Sequence, residues 1–428
     1  MSSRQEFKEK EFGIFAQDWK LDILKNRADV IMGQSPPSKF YNNKGIGIPF
    51  MQGRKTFGDK YHIIDTWCTQ PKRIAKQNSI LISVRAPVGD LNIANTELCI
   101  GRGLSSINMK NGNNEFLYYL LKNYKTRIIS KETGTVFGSI NKSGIENLKL
   151  PFPSEKEQER IASILSSLDD KIELNNQINK NLEEIAQAIF KHWFIDFEFP
   201  DGNGEPYKSS GGEMVDCELG LIPKGWEIKK VGEILKTVLG GTPSRKKKIY
   251  WENGKIPWIN SGKVNDYRII EPSEYITELG LEKSSTKLLP KRTTVIAITG
   301  ATLGKISLLE IDCCANQSIV GIVENNIFKG EYIYFWMKNI INRLIAWQTG
   351  GAQQHVNKDN VNKVNILIPN EKILQKYYIQ VRPMFNKISS NCFENKNLQR
   401  LRDLLLPKLM SGEIRVPINS KVLISKNN

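Results

Sequence analysis

Glu11-Phe-Gly-Ile-Phe-Ala-Gln-Asp-Trp19 returns as Glu218-Leu-Gly-Leu-Ile-Pro-Lys-Gly-Trp226, so one segment of this 428-residue chain is written twice, 207 positions apart. The same offset carries Gly33-Gln-Ser-Pro36 onto Gly240-Gly-Thr-Pro243. Farther along it grows to 215, where Cys99 meets Cys314, and then to 216, where Ile140-Asn-Lys142 meets Val356-Asn-Lys358. Residues 11–199 thus recur as residues 218–415. A chain with two such halves offers two related surfaces, and its partner is expected to carry two related sites.

Each half has the same two parts. Residues 19–153 alternate short β-rich runs, such as Ile46-Gly-Ile-Pro-Phe50 and Ile80-Leu-Ile-Ser-Val84, with turn residues and one helical stretch, Glu115-Phe-Leu-Tyr-Tyr-Leu-Leu121. This pattern predicts a compact α+β domain. In the second half the strands are Pro257-Trp-Ile259 and Thr294-Val-Ile-Ala-Ile298, and the helix is Glu331-Tyr-Ile-Tyr-Phe-Trp-Met337.

A long amphipathic helix follows each α+β part. Pro153 sets the start of the first, Ser154 is its N-cap, and Glu157 completes a capping box; Pro369 and Asn370 take the first two roles in the second helix. Apolar positions then recur with 4-3 spacing at Ile161, Leu165, Leu168, Ile172, Asn175, Asn179, Leu182, Ala186, Ile189 and Trp193. The corresponding seam is Tyr377, Val381, Met384, Ile388, Asn391, Asn395, Leu398, Arg402, Leu405 and Leu409. Two seams of one heptad phase predict a coiled coil made of both helices. Each is interrupted by two asparagines, and an unpaired buried amide costs about 1–3 kcal/mol, so the amides should find one another. In an antiparallel pair Asn175 faces Asn395 and Asn179 faces Asn391, a cluster that would fix the register. A seam of this length spans roughly 48 Å at ~1.5 Å per residue, enough to separate two globular domains by about one and a half turns of duplex.

Lys and Arg outnumber Asp and Glu by 61 to 45, which favours a polyanionic partner. No apolar run approaches the ~20 residues of a membrane span, and the charged start, Met1-Ser-Ser-Arg-Gln-Glu-Phe-Lys, does not read as a signal peptide. A cytoplasmic protein is expected. Its six cysteines form no CxxC pair and are read as small buried hydrophobes.

Catalytic motifs are weak. Three histidines (His62, His192, His355) form no HExxH or Cys/His cluster. Gly300-Ala-Thr-Leu-Gly-Lys305 has Thr299 where a phosphate loop needs its first glycine and Ile306 in place of the Ser or Thr that holds magnesium, so it is read as a turn. Asp216 with Glu227-Ile-Lys229 imitates a metal-dependent nuclease, but Lys20-Leu-Asp22 occupies the equivalent place with reversed charges, which marks a solvated strand face. No catalytic, cofactor or metal residue is assigned.

Basic and polar loops carry the stronger signal. Thr242-Pro-Ser-Arg-Lys-Lys-Lys248 sets four consecutive cations (Arg245, Lys246, Lys247, Lys248) after a turn, beside Thr242 and Ser244. Lys39, Arg54, Lys55, Arg85 and Arg102 lie in or beside turns of the first half, and Lys263 in the second. Lysines there can neutralise phosphates. Arginines, together with the polar Gln34, Ser35, Gln52, Asn260, Gln353, Gln354 and His355, can meet base edges in a major groove.

Four motifs in this order, within a duplicated chain, resemble the specificity subunit of Type I restriction-modification systems, and the match covers nearly the whole sequence. They are Glu218–Trp226 at the start of a domain, Gly241-Thr-Pro-Ser244 in its first loop, Ile189-Phe-Lys-His-Trp-Phe-Ile-Asp-Phe197 closing the first helix, and Leu405-Leu-Pro-Lys-Leu-Met-Ser-Gly-Glu413 closing the second. The first half departs from the pattern in Ile14-Phe-Ala-Gln-Asp-Trp19, which lacks the proline, and in Gly33-Gln-Ser-Pro-Pro37. The resemblance implies an α+β fold of two similar target-recognition domains, separated by two long helices in an antiparallel coiled coil, with a pseudo-two-fold repeat. The expected parts are a first target-recognition domain (1–153), a first long helix (154–199), a linker (200–217), a second target-recognition domain (218–369), a second long helix (370–415) and a tail (416–428). It further implies double-stranded DNA with an asymmetric bipartite target, two methyltransferase subunits, and restriction and translocation subunits as partners. AdoMet, ATP and Mg2+ would belong to those partners and none to this chain. The rival readings are a non-specific nucleic-acid scaffold, which would bind with a steep salt dependence and no sequence preference, and a stand-alone metal-dependent nuclease.

Overall fold

A computed structural model describes residues 7–10, 13–130, 138–218, 220–346 and 356–417. Among them, those up to Glu173 together with those from Lys396 onward form one compact unit, and Leu174–Asn395 form the other.

In the first unit, β-branched runs bounded by turn residues build a four-stranded antiparallel sheet, in the order Leu91–Ile93, Ile80–Ser83, Leu104–Met109, Ala28–Met32. A second sheet runs Tyr41–Asn42, Trp67–Cys68, Ile48–Met51, Leu98–Ile100, Ile74–Ala75. Its one parallel pair sets Phe50 against Cys99 and Met51 against Ile100. The helix Asn114–Asn123 buries every residue from Phe116 to Leu121, and these side chains join Ile80, Ile82 and Ile107 of the four-stranded sheet in one core.

The second unit repeats this plan, except that its mixed sheet has four strands and no counterpart of the edge strand Tyr41–Asn42. Its antiparallel sheet runs Ile306–Leu308, Thr294–Ala297, Ile319–Val323, Lys236–Leu239, and its mixed sheet Glu274–Ile276, Ile256–Ile259, Cys313–Ala315, Leu288–Leu289. Again one pair is parallel, Trp258 against Cys314. The helix Gly330–Ala346 takes the place of Asn114–Asn123, and Phe335, Trp336 and Phe190 pack within its core. The α+β class and the internal repeat therefore hold at the level of sheet order and strand direction.

The long helices are Glu155–Phe194 and Glu371–Met410. The Ser154 hydroxyl accepts from Glu157 N–H (3.4 Å) and the Asn370 side chain from Lys372 N–H (2.9 Å), so both N-caps form. Only half of the first capping box is as expected. The Glu157 carboxylate is taken by Arg415 (3.0 Å), because a buried carboxylate gains more from a cation than from one more backbone N–H.

None of the seam positions on either helix is exposed. Inside the second unit the helices run antiparallel, and Asn175 Nδ2 donates to Asn395 Oδ1 (2.8 Å) while Asn391 Nδ2 donates to Asn179 Oδ1 (2.8 Å). Inside the first unit Arg402 departs from apolar character because Asp169 receives its guanidinium at 2.6 Å, and Tyr119 donates to the other oxygen of the same carboxylate at 2.6 Å.

Candidate nucleic-acid interface

The parallel strand pair creates the same turn cluster in both units. In the first, Gly33 N–H donates to Leu104 O, Gln34 N–H to Ile100 O, and Gly101 N–H to Met51 O. In the second, Gly240 N–H donates to Ile319 O, Gly241 N–H to Ala315 O, and Asn316 N–H to Ile259 O. The chain crosses so closely that a Cβ on Gly33 would lie 2.2 Å from Gly101 O, and one on Gly240 2.1 Å from Asn316 O. Glycine is required at both crossings for that reason. These bonds make Ser35 equivalent to Thr242, Gln52 to Asn260, and Arg102 to Gln317.

Of the residues selected from the sequence, this cluster brings together Gln34, Ser35, Gln52 and Arg102. The Ser35 hydroxyl donates to Gln52 Oε1 (2.9 Å) and accepts from Arg102 N–H (3.1 Å). Arg85 is near, since it and Arg102 line one hollow of about 340 Å3 floored by Met32, Val84 and Ile140. Arg54 forms an ion pair with Asp90, which also receives Lys125 at 2.6 Å. Burial alone would raise the Asp90 carboxyl, but the two cations outweigh it and hold it below the usual carboxylate range. Lys55 is exposed beside Arg54, and Lys39 is exposed on the short turn Ser38–Phe40, its ammonium 5.1 Å from the Phe40 ring.

In the second unit Thr242 donates to Gln317 Oε1 at 2.5 Å. The basic run that follows is only partly free. Arg245 makes a two-pronged pair with Glu274 (2.6 and 2.7 Å) and stacks 3.5 Å from the Trp251 ring centre. That bond lowers the Glu274 carboxyl and raises the guanidinium. Lys247 donates to the Tyr250 hydroxyl (3.1 Å), Lys248 is 3.9 Å from Glu252, and Lys246 is exposed. Ser244 and Asn260 are also exposed; the Asn260 side chain accepts from Gly262 N–H to cap the following turn (2.9 Å). Lys263 is tied to Asp266 (2.9 Å) and Glu271 (3.3 Å). Gln353, Gln354 and His355 lie outside the described residues.

Gln317 gave no local signal, because it is an isolated amide in the run Cys313-Cys-Ala-Asn-Gln-Ser-Ile-Val320 with no cation beside it. The repeat itself holds the signal: the offset that joins Cys99 to Cys314 places Gln317 on Arg102.

The weak motifs resolve into structure. Gly300-Ala-Thr-Leu-Gly-Lys305 is a turn between two strands, with Gly300 at φ +67° and Gly304 at φ +81°. Glu227 and Lys229 are exposed on one strand, 3.1 Å apart, and Asp216 is exposed on another. Among the described residues no group of three or more His, Cys, Asp or Glu side chains could hold a metal ion, and no helix is long and apolar enough to cross a membrane.

Known proteins share this design. The solved S subunit of a Type I restriction-modification system from M. genitalium superposes with a TM-score of 0.60 at 18% identity, over 91% of this chain and 96% of its own. The MjaIX specificity subunit of a type I restriction enzyme, from Methanocaldococcus jannaschii, is 31% identical across 96% of this chain and 97% of its own length. The HindI specificity subunit from Haemophilus influenzae is 29% identical over 70% and 77% respectively. Residues 17–184 and 223–391 each match the Type I restriction modification DNA specificity domain, one match on each copy of the repeat, and the chain belongs to that family.

Proposed function

We propose that this chain, as the non-catalytic specificity subunit of a Type I restriction-modification complex, reads a bipartite and asymmetric DNA sequence, one half-site per α+β domain. The domains are those bounded above, 1–153 and 218–369, with the helices setting the gap between half-sites. The carrying observation is the doubled turn cluster with unlike side chains: Gln34, Gln52 and Arg102 stand where the second copy has Gly241, Asn260 and Gln317. Equal frames with unequal reading groups call for unequal half-sites. Lys39, Lys55, Lys246 and Lys248 supply phosphate contacts around them. Two methyltransferase subunits would receive the positioned adenines and restriction subunits would cleave, all in the cytoplasm. AdoMet, ATP and Mg2+ would act in those subunits.

The test is methylation mapping of DNA from cells that express the chain with its methyltransferase partner. One interrupted, non-palindromic motif is expected. Methylation without a motif would favour a charge-driven scaffold, and metal-dependent cleavage by the purified chain, abolished by Glu227→Ala, would favour a nuclease.

A further inference from the structure

The two turn clusters differ in their side chains, yet each ends in the same group. In the first unit the Ser35 hydroxyl donates to Gln52 Oε1, and in the second the hydroxyl at the equivalent position, Thr242, donates to Gln317 Oε1. The glutamines come from different strands: Gln52 follows Ile48–Met51, whereas Gln317 follows Cys313–Ala315. The repeat does not carry one onto the other, for Gln52 corresponds to Asn260 and Gln317 to Arg102. The hydroxyl therefore meets a glutamine amide in both units although the glutamine has moved across the strand pair.

A hydroxyl that donates to an amide oxygen settles which way the amide faces. The hydroxyl takes one lone pair of the amide oxygen, which leaves the second lone pair and the Nε2 hydrogens as the remaining acceptor and donors of that amide. Gln52 and Gln317 are both exposed, and neither Nε2 has a protein partner among the described residues. The frame beneath is stiff: a Cβ on Gly101 would stand 2.7 Å from Gln52 Oε1, and the glycine crossings hold Ser35 and Thr242 against the parallel strands. An oriented amide with one acceptor site and a free donor matches the N6 amino group and N7 of adenine in the major groove, the pairing that glutamine makes in two-pronged form. Fixing the amide beforehand removes the rotamer freedom that such a contact otherwise costs.

We infer that Gln52 and Gln317 each read one adenine, Gln52 in the half-site of the first domain and Gln317 in that of the second, with Ser35 and Thr242 as the positioning residues that orient them. This rests on the proposed role of the chain as a reader of two half-sites.

The test selects bound duplexes from a randomised library with the full-length chain. Gln317→Ala should abolish preference at one A·T pair of one half-site, a loss of roughly tenfold or more in discrimination, and leave the other half-site intact. Gln52→Ala should do the same in the other half-site. Thr242→Val should weaken preference at the pair affected by Gln317→Ala, and Thr242→Ser should restore it. A motif unchanged by both glutamine substitutions, a relaxed position that is not an A·T pair, a uniform loss of affinity with the motif kept, or a Thr242→Val variant with full preference would each overturn the inference. If the unsubstituted chain recovers no motif, the reading of the chain as a sequence reader fails first. A motif that survives both glutamine substitutions removes this inference alone.

Discussion

Asn175 Nδ2 lies 2.8 Å from Asn395 Oδ1 and 2.9 Å from a Glu394 carboxylate oxygen, so both amide hydrogens of one buried asparagine are used across the helix pair. Asn395 in turn donates to Asn176 (2.8 Å). Replacing Asn175 alone by Leu should destabilise the second unit by about 1–3 kcal/mol, since the Asn395 oxygen is left buried without its donor. The paired change Asn175→Leu with Asn395→Leu should cost less than the two single changes together. Denaturant unfolding of the four proteins measures this coupling, and strictly additive losses would mean that the amides do not act as a pair. The register role proposed for the four seam asparagines requires that coupling.

Glu183 carries a pH dependence. Burial alone would raise its carboxyl, but Arg268 (3.0 Å) and Lys338 (2.8 Å) outweigh burial and bring it down to about 2. A carboxylate lowered on folding contributes stability that is complete above its unfolded value near 4.5 and is lost as the pH falls toward 2. Glu183→Gln should therefore lower stability at neutral pH by roughly 3 kcal/mol or more, because Arg268 stays buried without its counter-ion. It should also flatten the fall in stability between pH 4.5 and 2. Thermal unfolding at pH 7 and pH 3 checks both, and a Glu183→Gln variant with an unchanged acid profile would contradict the assignment.

Lys246, Lys247 and Lys248 follow the turn that holds Thr242. Changing all three to Gln should weaken binding to every duplex and reduce the slope of log affinity against log salt by roughly 0.9 for each lysine that touches a phosphate. Arg245 should contribute less than its charge suggests, because Glu274 and Trp251 already engage it. A salt titration that gives the same slope for the triple variant and the parent would place this loop away from DNA.

Whatever repeats locally could be read from the sequence. The heptad seams and their asparagines lie on single helices, where spacing along the chain is spacing in space, and the duplication gave each reading a second witness. The turn cluster proposed to read DNA was harder, since Gln52 and Arg102 come together only through a parallel strand pair formed across some fifty residues. The engagement of Arg245 was hidden because its partner, Glu274, comes from a later segment, whereas Lys263 pairs at 2.9 Å with Asp266 only three residues along, a local signal that the sequence already held. Glu183 gave no sign at all: its counterpart in the second helix is Gln399, so the repeat carries no charge there to compare.

The last helix completes the first unit in a way that the first helix could imitate. Leu406, Leu409 and Met410 are buried in the same core as Phe15, Trp19 and Leu165. The residues 216 positions earlier, Phe190, Trp193 and Phe194, are buried in the second unit, where Phe194 packs 6.0 Å from Trp226, the repeat of Trp19. A fragment ending near residue 210 leaves Phe15 and Trp19 without their cover and carries the equivalent aromatic set on its own helix. Two copies should satisfy each other, with Asn175 of one facing Asn179 of the other, and the dimer should bind a symmetric DNA site. Sedimentation equilibrium across a concentration range decides it: a fragment that stays monomeric at high concentration would show that the two helices are not interchangeable.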